Sequence, residues 1–110
     1  MALRFSFRQL EYLIAVGEAG TIALAAQRVN VSPPSISSAI SQLETDLGVQ
    51  LFVRHHAQGL TLTPGGRRVF NEAKRILFLA HGINDLAIDI VDTVRGPITI
   101  GVDNINGKIV

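Results

Sequence analysis

The sequence predicts a mainly α fold, and three observations carry that expectation. The stretch TIALAAQRVNVSPPSISSAISQLETDLG, from Thr21 to Gly48, reads as two short helices joined by a tight turn. Two short β-type runs, Leu51 to Arg54 and Leu60 to Thr63, flank a loop containing Gly59, the pattern of a small hairpin. From Thr63 helical periodicity continues to about Val94, where Gly96 and Pro97 stop it. Together they describe a winged helix-turn-helix: a three-helix head with a β-hairpin wing, followed by a long linker helix.

Each element has a local cause. In SFRQLEYLIAVGEAG, Phe7, Leu10, Leu13, Ile14 and Gly17 follow helical spacing, Ser6 caps the start, and Arg8 and Gln9 are read as solvent-facing. Gly20 allows the chain to reverse. Thr21 then caps a second helix whose inner stripe is Ile22, Ala25, Ala26 and Val29, with the two alanines small enough for close helix approach. After Asn30 and Val31, Ser32 is expected to supply an N-cap oxygen. Pro33 follows at the first helical position, where its missing N–H loses nothing. Ile36, Ile40, Leu43 and Leu47 form the inward stripe of this third helix, and Gly48 ends it as a left-handed residue. The expected core is Leu10, Leu13, Ile14, Ala25, Val29, Ile36, Ile40, Leu43 and Phe52.

The outer face of the third helix carries Pro34, Ser38, Ser41, Gln42 and Thr45, with Ser35 and Ser37 beside it. Short hydroxyl side chains permit close approach to a phosphate or a base edge and can both donate and accept. At the start of the wing, Arg54, His55 and His56 place a guanidinium and two imidazoles where basic groups meet phosphate or a minor groove. These residue types predict a DNA contact set of Ser32, Pro33, Pro34, Ser35, Ser37, Ser38, Ser41, Gln42, Arg54, His55 and His56. Adjacent strand residues point to opposite faces and no third ligand has a recognisable spacing, so the histidine pair does not predict a metal site.

The long helix, about 45 Å at 1.5 Å per residue, carries a stripe Val69, Ala73, Ile76, Ala80, Ile83, Ala87, Ile90 and Val94. The intervals alternate four and three, as in a heptad seam. Phe70, Leu77, Phe78, Leu79 and Leu86 lie outside it. An isolated helix would leave this apolar area in water, so it is expected to pair with a second copy and also to touch a head. Val69, Ala73, Ile76, Ala80, Ile83, Ala87 and Ile90 are the expected dimerisation residues. Gly65, Gly66 and Gly82 weaken the helix and mark candidate flex points.

Composition sets bounds on function. With 110 residues, 47% of them hydrophobic, the chain can bury one modest core plus an extension. The absence of cysteine excludes disulfides and thiolate metal sites. The net charge of +1 hides a gradient: residues 1–75 hold eight Lys and Arg against five acids, whereas residues 76–110 hold two against four. The positive end is the one suited to nucleic acid. His55, His56 and His81 have no triad-like spacing and there is no glycine-rich phosphate loop, so enzyme chemistry is not expected. MALRFSFRQL lacks the apolar core of a cleavable signal, and Ile76 to Ala80 is too short to span a bilayer, so a cytoplasmic location away from membranes is expected.

The run from Phe7 to Thr63 resembles the N-terminal domain of LysR-type transcriptional regulators. The ordered elements that carry the resemblance are Leu10, the pair Ala25 and Ala26, Ser32 and Pro34, Ile36, Ser37, Ile40, Leu43 with Glu44, Leu47 with Gly48, Leu51, Phe52 and Arg54, then Leu62, Thr63 and Gly66. The likeness continues through the long helix into GPITIGV, Gly96 to Val102, which looks like the first strand of an effector-binding domain. It implies a winged helix-turn-helix over 1–63, a linker and dimerisation helix over 64–95, and over 96–110 the start of an effector domain cut short here. It further implies sequence-specific binding of double-stranded DNA as a homodimer on an inverted repeat. A tetramer is left open for a longer protein, whereas contact with the transcription machinery and a small-molecule effector bound by the C-terminal domain are further implications of the resemblance. No cofactor is expected within this stretch.

Departures from the family pattern bear on recognition. Many relatives carry Gln where this chain has Pro33, and often Arg or Lys where it has Ser38 and Ser41. From Pro33 to Leu47 there is no Lys or Arg at all. Arginine forks are the commonest readers of guanine, so their absence points to hydroxyl contacts, thymine methyls, water and duplex shape. A winged helix used only for protein contact, with the long helix as a dimer clamp, is the alternative that this lack of arginine keeps open.

Overall fold

The computed structural model describes residues 3–56 and 59–95, as helices α1 (Phe7–Ala19), α2 (Ile22–Val29), α3 (Pro33–Leu47) and α4 (Pro64–Arg95) and strands β1 (Phe52–Arg54) and β2 (Leu60–Leu62). Residues up to Leu77 form one compact unit and those from Phe78 a second. The expected strand at 98–102 and the rest of the segment 96–110 lie outside the described residues.

Helix ends follow their capping residues. Ser6 Oγ accepts from the Gln9 N–H at 3.2 Å while Gln9 Oε1 accepts from the Ser6 N–H at 2.7 Å, a reciprocal capping box that gives Gln9 a structural task. Thr21 Oγ1 accepts from the Leu24 N–H at 3.1 Å. Asn30, in the left-handed region (φ 59°), closes α2, and the Val31 N–H reaches back to the Ala26 carbonyl, so three residues suffice to turn the chain into α3. Ser32 departs from expectation: it occupies the N-cap, but its hydroxyl makes no cap bond. Pro33 and Pro34 have no N–H to offer, and the Ser35 N–H bonds the Ser32 carbonyl at 3.0 Å. The Ser32 hydroxyl therefore pairs with Ser35 Oγ at 2.9 Å.

The core of the first unit gathers Leu10, Leu13, Ala15, Val16, Ala25, Ala26, Ile36, Ile40, Leu43, Leu51, Phe52 and Leu60 with Ala73 and Leu77 of α4. Ile14 and Val29, expected inside, are half-buried at its edge. Phe7 is 55% exposed, because the core centres on the second and third turns of α1.

The wing is an antiparallel pair in the register Phe52 to Leu62, Val53 to Thr61 and Arg54 to Leu60. It is shorter than expected because Leu51 and Thr63 serve other contacts. The Leu51 N–H donates to Glu44 Oε2 at 2.7 Å, and the Phe52 N–H donates to the same oxygen at 3.3 Å, so a carboxylate of α3 holds the first residues of the wing. The Leu51 carbonyl accepts from the Thr63 N–H at 2.9 Å. Thr63 Oγ1 donates to the Gln50 carbonyl at 2.6 Å and accepts from the Gly66 N–H at 2.8 Å, capping α4. On the other side of the hairpin, the Leu60 N–H bonds the Gly20 carbonyl at 2.9 Å and Thr21 bridges Gly59, which ties the wing to the α1–α2 corner.

Two corrections concern α4. Ala73, expected in the seam to a second copy, is 1% exposed within its own unit, with Phe70 and Leu77 also buried there. Heptad spacing serves a chain's own head as well as a partner, and here the head takes the first half of the stripe. Val69 and Ile76 are half-buried against the same core. Gly66 is no flex point: a side chain there would overlap the Leu51 carbonyl, so glycine is what allows α4 to start this close to the wing. In the second unit Ala80 is half-buried, whereas Ile83, Ala87 and Ile90 are exposed, as are Phe78, Leu79 and Leu86.

Gly66→Ala is expected to lower stability by about 2 kcal/mol through overpacking, read as a lower urea midpoint with an unchanged slope. Gly82→Ala, where an added methyl meets nothing within 4 Å, is expected to raise helix stability by about 1 kcal/mol. Equal effects of the two substitutions would refute this account of the glycines. Glu44→Ala is expected to cost about 1–3 kcal/mol by stranding two backbone donors. Glu44→Gln, which keeps an accepting oxygen, should cost clearly less in the same titration.

Candidate nucleic-acid interface

Because α3 turns Ile36, Ile40 and Leu43 into the core, its opposite side stays open. Ser32, Pro33, Pro34, Ser35, Ser38, Ser41 and Gln42 are exposed, and Ser37 is half-buried at the margin. Among the described residues, no other part of the unit covers this face. Its hydrogen bonds run along the helix: Gln42 Nε2 donates to Asp46 Oδ1 at 2.9 Å and Thr45 Oγ1 donates to the Ser41 carbonyl at 3.0 Å.

Arg54, His55 and His56 are exposed in the wing. Arg54 and His55 line an open cleft of about 430 Å³ together with Thr21, Ile22, Ala23, Pro33, Gly59 and Leu60. His55 Nε2 is 2.9 Å from Thr61 Oγ1, a contact that steadies the ring beside the cleft. His56, in the following turn, is not among the lining residues. Nor are Ser38 and Ser41, so the expected contact set divides into the α3 face and a wing cleft that meets it at Pro33.

The contribution of α2 to this cleft escaped the sequence reading. Thr21, Ile22 and Ala23 form the start of α2, where backbone N–H groups lack intrahelical partners and the helix dipole is positive. Beside a guanidinium, such a start suits an anionic oxygen. Thr21 is legible as a cap, but its position beside Arg54 depends on the pairing of residues 20 and 21 with 59 and 60. That pairing is long-range and has no local signal.

Three other cations of this unit form ion pairs away from the cleft. Arg28 and Lys74 share Glu18 at 4.0 and 3.6 Å, and Arg75 pairs with Glu72 at 3.1 Å. All five side chains are roughly half-exposed or more, so these pairs add little stability. Among the described residues no group of three or more His, Cys, Asp or Glu could hold a metal ion, and no helix is long and apolar enough to cross a membrane.

A three-helix head with an open third helix and a basic wing defines a winged helix-turn-helix protein. The chain belongs to the bacterial regulatory helix-turn-helix proteins of the lysR family, whose family model matches residues 7–67. It is 51% identical over 79 residues to the HTH-type transcriptional regulator TcbR of Pseudomonas sp. (strain P51), covering 72% of this chain and 26% of that protein. To ClcR of Pseudomonas putida it is 49% identical over 75 residues, covering 68% of this chain and 25% of that protein. The chain thus spans about a quarter of the length of these curated relatives, which are transcriptional regulators by name. Among solved structures it is similar to the DNA-binding domain of CbnR in complex with DNA, with 45% identity, a TM-score of 0.74, and coverage of 79% of this chain and 99% of that one. It also resembles the BenM DNA-binding domain in complex with benA site 1 DNA, with 28% identity, a TM-score of 0.74, and coverage of 79% and 97%.

Proposed function

We propose that this chain is the DNA-binding part of a LysR-type transcriptional regulator, reading double-stranded DNA as a homodimer through α3 and the wing. The observation that carries the reading is the uncovered outer face of α3, in a chain 45% identical to a domain whose structure was solved on DNA. The face lies along one helix, as a major groove requires, and the cleft holding Arg54 and His55 lies beside its start, where a phosphate strand would run. Ser32, Pro33, Pro34, Ser35, Ser37, Ser38, Ser41 and Gln42 form the groove-facing set; Arg54, His55 and His56 form the backbone-facing set.

The division into a head over 1–63, a linker and dimerisation helix over 64–95 and the start of an effector domain over 96–110 carries over with one amendment. The first half of α4 also walls the head, through Phe70, Ala73 and Leu77. A dimer seam then uses Ala80, Ile83, Ala87 and Ile90, with the free edges of Val69 and Ile76. Two heads on one seam meet successive major grooves, which favours an inverted-repeat site. A small effector would act through the rest of a longer protein, which works in the cytoplasm with the transcription machinery.

Binding to duplexes selected from a random pool tests the function. Ser38→Glu or Ser41→Glu is expected to abolish binding, because a carboxylate would face phosphates, with the helical content and dimer unchanged. Ala80→Asp should attack the dimer first, seen as a monomer in equilibrium sedimentation. If no duplex outcompetes random DNA at moderate salt, the head is a protein-contact module instead. The slope of log affinity against log salt is expected to be shallower than for a relative with arginine on its reading helix, since fewer cations reach the backbone. Equal slopes measured side by side would contradict that.

A further inference from the structure

His55 is the titratable member of the wing cleft, and its surroundings leave both charge states of its ring available. Arg54 is the one charged residue that lines the cleft with it; residues 21–23 at the start of α2, Pro33 of α3 and residues 59 and 60 of the wing are uncharged. Ala57 and Gln58, which follow in the loop, are uncharged by type. The carboxylate that supports the wing, Glu44, accepts from the Leu51 and Phe52 N–H groups and lines a different cleft, which Arg54 shares and His55 does not. Among the described residues, no acid of this head therefore lines the cleft with the ring. The residue itself is fixed at the end of β1, where its N–H donates to the Gly59 carbonyl at 2.9 Å.

The partner of the ring is a hydroxyl, with His55 Nε2 2.9 Å from Thr61 Oγ1. A hydroxyl donates to an unprotonated ring nitrogen and accepts from a protonated one, so this bond survives a change of charge. A carboxylate in its place would hold the ring charged, and a backbone N–H would hold it neutral. Histidine is the side-chain type whose charge changes between pH 5 and 8. With no carboxylate in the cleft, the anion that pairs with a charged ring has to come from outside, and on the DNA-binding function proposed above that anion is a phosphate of the duplex. We propose that His55 is a proton-linked phosphate contact, through which the affinity of this chain for DNA rises as the pH falls from 8 to 6. The proton comes from solvent and bonds the free ring nitrogen; no other bond changes. Because the phosphate favours the charged ring, the gain is complete at low pH and is lost as the pH rises. With no Lys or Arg on α3, this one charge is a larger share of the phosphate contacts than in a head with arginine on its third helix.

The test takes the tightest duplex enriched from a random pool at pH 6 and measures affinity at pH 6 and pH 8, across a salt series at each. Affinity is expected to be about tenfold higher at pH 6, the factor that goes with a displacement of one pK unit. The slope of log affinity against log salt should be steeper there by about 0.9, the value of one further phosphate contact. Both differences should vanish in His55→Gln, which keeps a group able to bond Thr61, and His55→Arg should bind tightly at both pH values. His56→Gln, outside the cleft lining, and His81→Gln, on α4, should retain the pH difference. A readout that needs no variant is the NMR titration of the histidine ring protons in the unsubstituted chain, where one ring should hold its proton to higher pH with duplex bound than without. An affinity indifferent to pH, or a pH difference that persists in His55→Gln, overturns this inference while leaving DNA binding intact. Failure to enrich any duplex overturns both.

Discussion

Leu51 is the residue on which the head's arrangement depends. Its side chain is fully buried, its N–H is held by the Glu44 carboxylate of α3, its carbonyl accepts from Thr63 at the end of the wing, and that same carbonyl lies against Gly66 of α4. Three elements therefore meet on one peptide unit. Buried backbone groups must be paired, so the geometry of this segment has little freedom once the Leu51 side chain is in the core. The wing is aimed relative to α3 by a carboxylate rather than by packing alone, and α4 starts where a Cβ cannot fit.

A second constraint joins the opposite end of the wing to the α1–α2 corner. Because Leu60 bonds Gly20 and Gly59 bridges Thr21, Arg54 and His55 are brought beside the start of α2. The cleft that results combines a guanidinium, an imidazole and the start of α2, each weak alone as a ligand for an anion in water. α3 itself carries no Lys or Arg, and its open face is left to short hydroxyls and proline rings.

The helix α4 has two duties that compete for one periodicity. Phe70, Ala73 and Leu77 complete the head, while from Phe78 onward the large apolar side chains are open, with Ile83 67% exposed. So much apolar area along a single helix has no reason to face water. The change from covered to uncovered positions falls at the boundary between the two compact units.

What the sequence by itself determined were the features governed by a few neighbouring residues. The capping residues Ser6, Thr21 and Thr63, the left-handed end at Gly48, the inward stripe of α3 and the register-compatible runs of the wing were all legible, because side-chain period and local hydrogen bonds decide them. The open outer face of α3 followed from the same periodicity. Tertiary structure alone decided the rest. Ala73 could be assigned to its own head only once α4 was seen against α1, since a heptad stripe does not say which surface it meets. The Ser32 hydroxyl was released from capping by two prolines and its own carbonyl. Glu44 and the α2 contribution to the cleft depend on pairings across the chain, where the free energy of contact comes from elements that approach only after the core has formed.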